Sequence, residues 1–347
     1  MLTRSSDRVL RDRANVRWAM MWLGTAEATA VVLDAGGERM QRSANRPRTP
    51  AVLLAGLVLA TLAGCTPSTL PDGSVPQDRP FGVNGMTEED GQVWVADLFG
   101  GQLIRFDPDD GSIDERYGRM EGLCGTDDVV VAPDTTLVAT CPVEGLVIAV
   151  ERGGTARVLA DVGRGVNPIA LDPSGDAVLV GFGTPDDDRL LRVPLDGADA
   201  QVVAQGLPVL NGFDVGPDGM LYAPTGGAAG SFGTGGLARI DLDTGAVEQL
   251  DLTFPGSERT GFSFACGVDV AADGTVFVAQ CFEPAVFAVD PATAIATLAA
   301  RAPFDAADNV VVLDDDRIVQ SGFFGGRVAV STPDAGGYST REVFVGG

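Results

Sequence analysis

Six residues of this 347-residue chain share one position in a repeated pattern. Each lies seven or eight residues before the end of a short turn and begins an apolar, strand-like segment. The six are Asn84, Asp127, Asn167, Asn211, Cys266 and Asp308. All except Cys266 carry a carboxylate or amide oxygen, the ligand type of which Ca²⁺ takes six to eight. If the six positions meet, the five oxygen-bearing residues predict a site for calcium or another divalent metal.

Asp127 and Asp308 are the charged members of this set. Placed together they would repel each other unless a cation lay between them. In an enzyme, either one is a candidate catalytic base that activates water. The neighbouring Asp128 and Asn309 could replace or add to the ligands. The alternative is that all these side chains only bond the backbone at strand ends in a wet channel.

The chain contains no histidine. This excludes Ser-His-Asp and Cys-His nucleophilic catalysis, histidine general bases and histidine metal ligands. A zinc site of the His₃ or His₂Glu type is therefore impossible.

Four of the five cysteines form two local pairs, Cys124 with Cys141 and Cys266 with Cys281. Each pair brackets a predicted hairpin, so its members could face each other across adjacent strands. Two disulfides are expected, although four cysteines allow three connectivities. A shared thiolate metal site would need the two pairs to meet, which their distant positions in the repeat disfavour.

The elements that must position these residues recur along the chain. Turns of Asp and Gly type separate alternating apolar strands, and the last residues of successive turns are 44, 40, 44, 55 and 42 residues apart. A period of 40–50 residues with several strands per repeat is typical of a propeller. The predicted fold is all-β, a six-bladed β-propeller with four-stranded blades over residues 81–347. Symmetry would then place the six shared positions around one end of the central channel.

The N-terminal region reads as an export signal. Residues 51–64 are apolar and uncharged, follow three arginines and end at Cys65, which fits a signal-peptide core of 7–15 residues. The run Leu62-Ala63-Gly64-Cys65 looks like the lipobox of bacterial lipoproteins, which implies a lipid on Cys65. We interpret 1–39 as a mis-assigned upstream start, 40–64 as the signal peptide and 65–80 as a tether. The expected location is the outer face of the bacterial cell membrane.

Charge limits the partners. Residues 65–347 contain 15 arginines, no lysine and 43 acidic residues, a net charge of −28. Such a chain repels phosphate backbones, so no nucleic-acid partner is expected. Membrane contact is expected only through the lipid on Cys65, and the chain is expected to be a monomer.

The segments that begin at Asn84, Asn167 and Asn211 resemble the SMP-30/gluconolactonase-like propellers, a group related to NHL-type propellers. The matching runs are Asn84-Gly85-Met86, Asn167-Pro168-Ile169 and Asn211-Gly212-Phe213. The resemblance implies a divalent metal at the channel mouth and, in some members, lactone hydrolysis. It places metal ligands at Asn167, Asn211 and Asp308. The family's first-blade glutamate ligand falls on Asn84, and related paraoxonase-like enzymes use histidine, which this chain lacks.

Two functions therefore stay open. The first is a membrane-anchored extracytoplasmic propeller that binds a small ligand or a protein at its face, with a divalent metal, calcium first, in the channel. The second is a calcium-dependent lactone or ester hydrolase, in which the metal polarises the carbonyl and Asp308 or Asp127 is the base.

Overall fold

Alternating apolar residues between tight turns fold into β-strands throughout the described chain. The computed structural model describes residues 80–346 except 209, 226–234, 282, 305 and 324. These residues form 24 strands in six four-stranded antiparallel sheets. Within the described ranges the single helix is a 3₁₀ turn at Arg119–Glu121. The predicted all-β, six-bladed propeller with four-stranded blades is confirmed.

Each blade is built from four consecutive strands, listed from the channel outwards. Blade 1 is β1 (Val83–Glu89), β2 (Gln92–Asp97), β3 (Gln102–Phe106) and β4 (Ile113–Tyr117); blade 2 is β5 (Val129–Val131), β6 (Leu137–Cys141), β7 (Leu146–Val150) and β8 (Ala156–Asp161). Blade 3 is β9 (Val166–Leu171), β10 (Ala177–Phe182), β11 (Leu190–Pro194) and β12 (Gln201–Ala204); blade 4 is β13 (Asp214–Val215), β14 (Met220–Thr225), β15 (Gly236–Asp241) and β16 (Val247–Gln249). Blade 5 is β17 (Ala265–Val270), β18 (Val276–Gln280), β19 (Ala285–Asp290) and β20 (Ile295–Arg301); blade 6 is β21 (Ala307–Val312), β22 (Ile318–Gly322), β23 (Arg327–Asp334) and β24 (Gly337–Phe344).

The turn between the first two strands of every blade ends in a left-handed residue. Four of these residues are glycines, which reach positive φ without steric cost. The other two are Thr135, with φ 69°, and Asp316, with φ 65°. The backbone thus requires the same conformation in all six repeats, even where the sequence supplies no glycine.

The core lies between the blades. Apolar side chains of each pair of adjacent sheets form a separate buried cluster at each of the six interfaces. Inner strands such as β6 and β18 are therefore buried on both faces, whereas the outermost strand β8 has one buried residue, Leu159, among exposed and half-buried ones. The burial pattern follows from stacking sheets around an axis.

Side-chain packing between blades 1 and 6 closes the propeller. Neither blade contributes a strand to the sheet of the other. Valines of β2, β22 and β23 share one apolar cluster across this interface. The backbone N–H of Gly325 also donates to the carbonyl of Phe81 at 3.0 Å, and that of Gly346 donates to Gly111 at 2.8 Å.

Both predicted disulfides form. The Cα atoms are 6.0 Å apart in Cys124–Cys141 and 5.8 Å apart in Cys266–Cys281, within the usual range for this bond. They cross-link blades 2 and 5 respectively, so the two pairs do not meet.

The predicted N-terminal segments 1–39 and 40–64, the lipidation site Cys65 and nearly all of the tether 65–80 lie outside the described residues. Within the part of the chain that is described, no helix has the length and apolar character needed to span a membrane.

Candidate metal centre at the channel mouth

The innermost strands place the six aligned residues at one end of the channel. Four of them lie within strands β1, β9, β17 and β21. The other two, Asp127 and Asn211, come just before β5 and β13. All but the half-buried Asn211 are at most 3% exposed. We call Asn84, Asp127, Asn167, Asn211 and Asp308 the ring residues.

Contacts and electrostatics link the ring residues across blades. The amide nitrogen of Asn84 donates to Asp127 Oδ1 at 3.1 Å. Asp308 is near enough to raise the pKa of Asp127, and Asn211 is near enough to lower the pKa of Asp308, although no hydrogen bond of normal length joins the two side chains. Residues of blades 1, 2, 4 and 6 are therefore brought together at the axis, as the alignment predicts.

Four buried polar atoms of the ring have no hydrogen-bond partner. They are Asp127 Oδ2, Asp308 Oδ2, Asn167 Nδ2 and Asn211 Nδ2. A buried polar atom without a partner costs about 1–3 kcal/mol, so four of them at aligned positions of the repeat need an explanation. Two unpaired carboxylate oxygens and two amides fit a hydrated divalent cation, because an amide can turn to present its oxygen. The chemistry of these donors is therefore compatible with a divalent metal.

The electrostatics of the ring favour uptake of a cation or of protons. Burial raises the pKa of Asp127 well above its ordinary value, and the charges of Asp308 and Asp128 raise it further. Burial raises the pKa of Asp308 to about 7, against the opposing effect of the Asn211 amide. No basic side chain is among the causes of either shift.

Asp128 and Asn309, considered from the sequence as additional ligands, are engaged with the backbone. Asp128 accepts the N–H of Val129 at 2.9 Å and, from blade 3, that of Ile169 at 3.2 Å. Asn309 Oδ1 accepts the N–H of Val310 at 2.9 Å. Asp128 thereby connects the innermost strands of blades 2 and 3, and burial raises the pKa of Asp128 to about 7.

The sixth aligned position, Cys266, is not an oxygen ligand, and its sulfur is bonded to Cys281. This disulfide lies beside the ring, because Cys281 Sγ is 3.8 Å from Asp308 Oδ1. The three ligand atoms of Cys266, Cys281 and Asp308 all lie within 4.8 Å of one another. Sequence reasoning placed the two cysteines together but not their contact with Asp308, which comes from the next blade.

A second acidic pair in the channel was not anticipated. Burial raises the pKa of both Asp214 and Asp269. Asp214 raises the pKa of Asp269 further, whereas the hydrogen bond with Asp269 lowers that of Asp214. Each also holds the next blade: Asp214 accepts the N–H of Val270 at 2.9 Å, and Asp269 that of Val312 at 2.6 Å. Asp214 and Asp269 each lie three residues after an aligned position, Asn211 and Cys266 respectively. This shared spacing is the sequence signal that identifies the pair.

The opposite face of the propeller carries two shallow clefts, of about 380 and 350 Å³. Asp273 and Thr275 line both of them. None of the ring residues lines either cleft, so the clefts are separate from the candidate centre.

Comparison with known proteins supports the fold. No protein-family model matches the chain, and no curated protein matches it by sequence. Solved structures do: virginiamycin B lyase from Staphylococcus aureus has a TM-score of 0.55 at 12% identity, with 78% of this chain and 85% of that chain covered. Gluconolactonase from Xanthomonas campestris has a TM-score of 0.56 at 16% identity, covering 71% and 84%. A nidogen/laminin complex gives 0.57 at 12% identity, covering 71% and 90%.

These identities are low, so the likeness extends to the fold alone. The three proteins also differ in what they do, since two are enzymes and one is part of a complex between proteins. For the lyase, a variant in which a histidine is replaced by alanine is described as catalytically inactive.

Proposed function

We propose that this protein is an extracytoplasmic propeller that binds a divalent cation, calcium first, at the ring residues and a small ligand or a protein partner at the surrounding face. The supporting observation is the group of four unpartnered, buried polar atoms on Asp127, Asp308, Asn167 and Asn211. Ca²⁺ is favoured among divalent ions because every donor is an oxygen or an amide, and no histidine or free thiolate is offered.

Thermal unfolding tests whether the protein binds a divalent cation. Protein stripped with a chelator is unfolded by heat at increasing calcium concentrations. A ligand at 100 times its Kd adds about 2.7 kcal/mol to the free energy of unfolding, so we expect a clear rise in Tm. Absence of a shift with calcium, magnesium, manganese and zinc would leave the ring as hydrogen-bonded lining and remove this proposal.

A calcium-dependent lactone or ester hydrolase is the second candidate. It is favoured by the gluconolactonase among the similar structures and by the buried carboxyl of Asp308, one oxygen of which has no hydrogen-bond partner and could accept a proton from water. A bound cation would supply Lewis acidity to the carbonyl of the substrate. Asp308 Oδ2 would take a proton from the attacking water, and the nearby Asn211 amide would favour the ionised form of that carboxylate.

The two candidates are separated by turnover. A panel of γ- and δ-lactones is incubated with calcium-loaded protein, with chelator-treated protein and with the Asp308→Asn variant. Hydrolysis that disappears in the last two samples establishes the hydrolase. Calcium binding without any hydrolysis favours the binding protein. A lyase reaction like that of the virginiamycin enzyme is disfavoured, because this chain has no histidine.

We also propose that the chain is exported and lipid-anchored through Cys65. The two disulfides support an oxidising compartment. Expression in a bacterial host with labelled palmitate should label the protein, and Cys65→Ser should abolish the label. Equal labelling of both proteins, or export of neither, would contradict the anchor.

A further inference from the structure

The disulfide of blade 5 lies directly against a ring carboxylate of blade 6. Cys266 belongs to β17, Cys281 follows β18, and Asp308 belongs to β21. All three side chains are at most 6% exposed. Cys281 Sγ lies 3.8 Å from Asp308 Oδ1, and the two sulfurs and a carboxylate oxygen lie within 4.8 Å of one another. Among the described residues no other three cysteine, aspartate or glutamate ligands are grouped this closely.

We propose that reduction of Cys266–Cys281 creates a second metal site, in which two thiolates and the Asp308 carboxylate bind a thiophilic divalent ion of the zinc class. Thiolate sulfur and carboxylate oxygen are established zinc ligands. Asp308 Oδ2 has no hydrogen-bond partner, so a metal at this oxygen would not break a hydrogen bond. Three protein ligands leave the fourth tetrahedral position for water or a ligand.

The observed separation matches the size of a zinc centre. With a Zn–S distance of about 2.3 Å and a Zn–O distance of about 2.1 Å, tetrahedral geometry places sulfur and oxygen about 3.6 Å apart. The distance between Cys281 Sγ and Asp308 Oδ1 is 3.8 Å. The two thiolate sulfurs would need a separation of about 3.8 Å, which breaking the disulfide permits by side-chain rotation.

The chemical step is balanced by an external dithiol. The dithiol gives two electrons and two protons to the S–S bond, which breaks into two thiols while the dithiol becomes a disulfide. Zinc then displaces one proton from each thiol, since only thiolates bind the metal. Reoxidation by a disulfide oxidant releases the ion and restores the bond.

Both the oxygen site of the ring residues and the thiolate site use Asp308, so the two sites cannot be occupied at the same time. This consequence rests on the proposed function of the ring residues. With the disulfide formed, the aligned residues offer oxygen donors and favour a hard cation such as Ca²⁺. With the disulfide reduced, the thiolates draw Asp308 to a soft ion and remove one ring ligand. The redox state of one bond would thus select the metal at the channel mouth.

Cobalt is the probe, because a Co²⁺–thiolate bond gives a charge-transfer band in the near ultraviolet. The purified chain is reduced with a phosphine, desalted without oxygen and titrated with Co²⁺. We expect one ion per chain with a thiolate band in the reduced wild type and in reduced Cys124→Ser/Cys141→Ser, and no band in the oxidised protein. Cys266→Ser/Cys281→Ser should lose the band, and Asp308→Asn should bind at least tenfold more weakly.

Circular dichroism and a thiol count accompany each titration. The site would be overturned if the reduced Cys124→Ser/Cys141→Ser protein gave no thiolate band while it kept its β-sheet signal and the free thiols of Cys266 and Cys281. A band that persists in Cys266→Ser/Cys281→Ser would also overturn the site, because Cys65 and the blade 2 cysteines would then be its source. Calcium titration of the oxidised protein is a separate measurement. A missing calcium response counts against the ring residues as a metal site, whereas a missing thiolate band counts against the thiolate site.

Discussion

Asp127 and Asp308 bear the electrostatic cost of a ring without a cation. Replacing either carboxylate with an amide removes a buried negative charge, so Asp127→Asn and Asp308→Asn should stabilise the chelator-treated protein above neutral pH. For Asp308, whose pKa is raised from 3.8 to about 7, the gain is on the order of a few kcal/mol, because each unit of pKa shift corresponds to about 1.4 kcal/mol. The same variants should lose the rise in Tm that calcium gives the wild type.

Asp186→Asn is the matched control. Asp186 is an exposed residue of the loop between β10 and β11, so its replacement changes the net charge equally without touching the ring. It should leave both the metal-free Tm and the calcium response unchanged. A loss of stability in the metal-free ring variants would mean that the carboxylates make favourable contacts without a cation.

The raised pKa values also predict how calcium stabilisation depends on pH. The pKa of Asp308 is about 7 in the folded protein, above the ordinary 3.8, so the folded state holds a proton that the unfolded chain releases. This contribution to stability is complete below the ordinary pKa and is lost as pH rises towards 7. Calcium competes with that proton, so the calcium-induced rise in Tm should be larger near pH 8 than near pH 5.

Differential scanning calorimetry at several pH values, with chelator and with calcium, measures this difference. Asp308→Asn should lose the calcium-induced rise in Tm at both pH 5 and pH 8. A calcium effect that is greatest near pH 5 would contradict the assignment of a carboxylate ligand.

At the scale of the strand and turn, the left-handed positions offer a clean test of the repeat. Thr135 is exposed and has φ 69°, a conformation that costs a β-branched residue about 1–2 kcal/mol. Thr135→Gly should therefore raise the free energy of unfolding by up to about 1 kcal/mol, after the entropy lost on ordering glycine is subtracted.

Gly219 supplies the reverse change. It has φ 77°, and no atom lies within 4 Å of an added Cβ, so Gly219→Ala tests backbone strain without a clash. It should destabilise the protein by about 1 kcal/mol. Urea unfolding measures both variants, and shifts of the same sign would contradict a shared backbone requirement.

The sequence predicts the six blades and the shared position of the ring residues in the repeat, because both depend on the local periodicity of apolar residues and turns. The turn that ends at Asp316 was aligned with four glycine turns, and its φ of 65° agrees. Side-chain contacts between neighbouring blades could not be predicted from the sequence. Asp214 paired with Asp269, and Cys281 placed against Asp308, depend on how neighbouring sheets approach the axis.

Close approach of the innermost strands explains part of this limit. A Cβ on Gly267 of blade 5 would lie 2.7 Å from Asn309 Cα of blade 6. Such a distance is set by the stacking of whole sheets and leaves no periodic trace in the sequence. The glycine itself is visible, but its partner is identified only in the folded molecule.

At the scale of the whole molecule, charge and architecture act in the same direction. A net charge of −28 over residues 65–347 attracts cations to the surface. The propeller then gathers five carboxyl groups near its innermost strands, the buried Asp127, Asp128 and Asp308 and the half-buried Asp214 and Asp269. The fold thus concentrates negative charge where the ring atoms lack partners.

Counting the bound ion tests this account most directly. Chelator-treated wild type, Asp186→Asn and Asp127→Asn/Asp308→Asn are dialysed against low micromolar calcium, and metal is measured by atomic emission. The account predicts one tightly held calcium ion per chain in the first two proteins and less than a tenth of that in the ring variant. Equal calcium in all three proteins, or none in the wild type, would contradict a metal centre at the channel mouth.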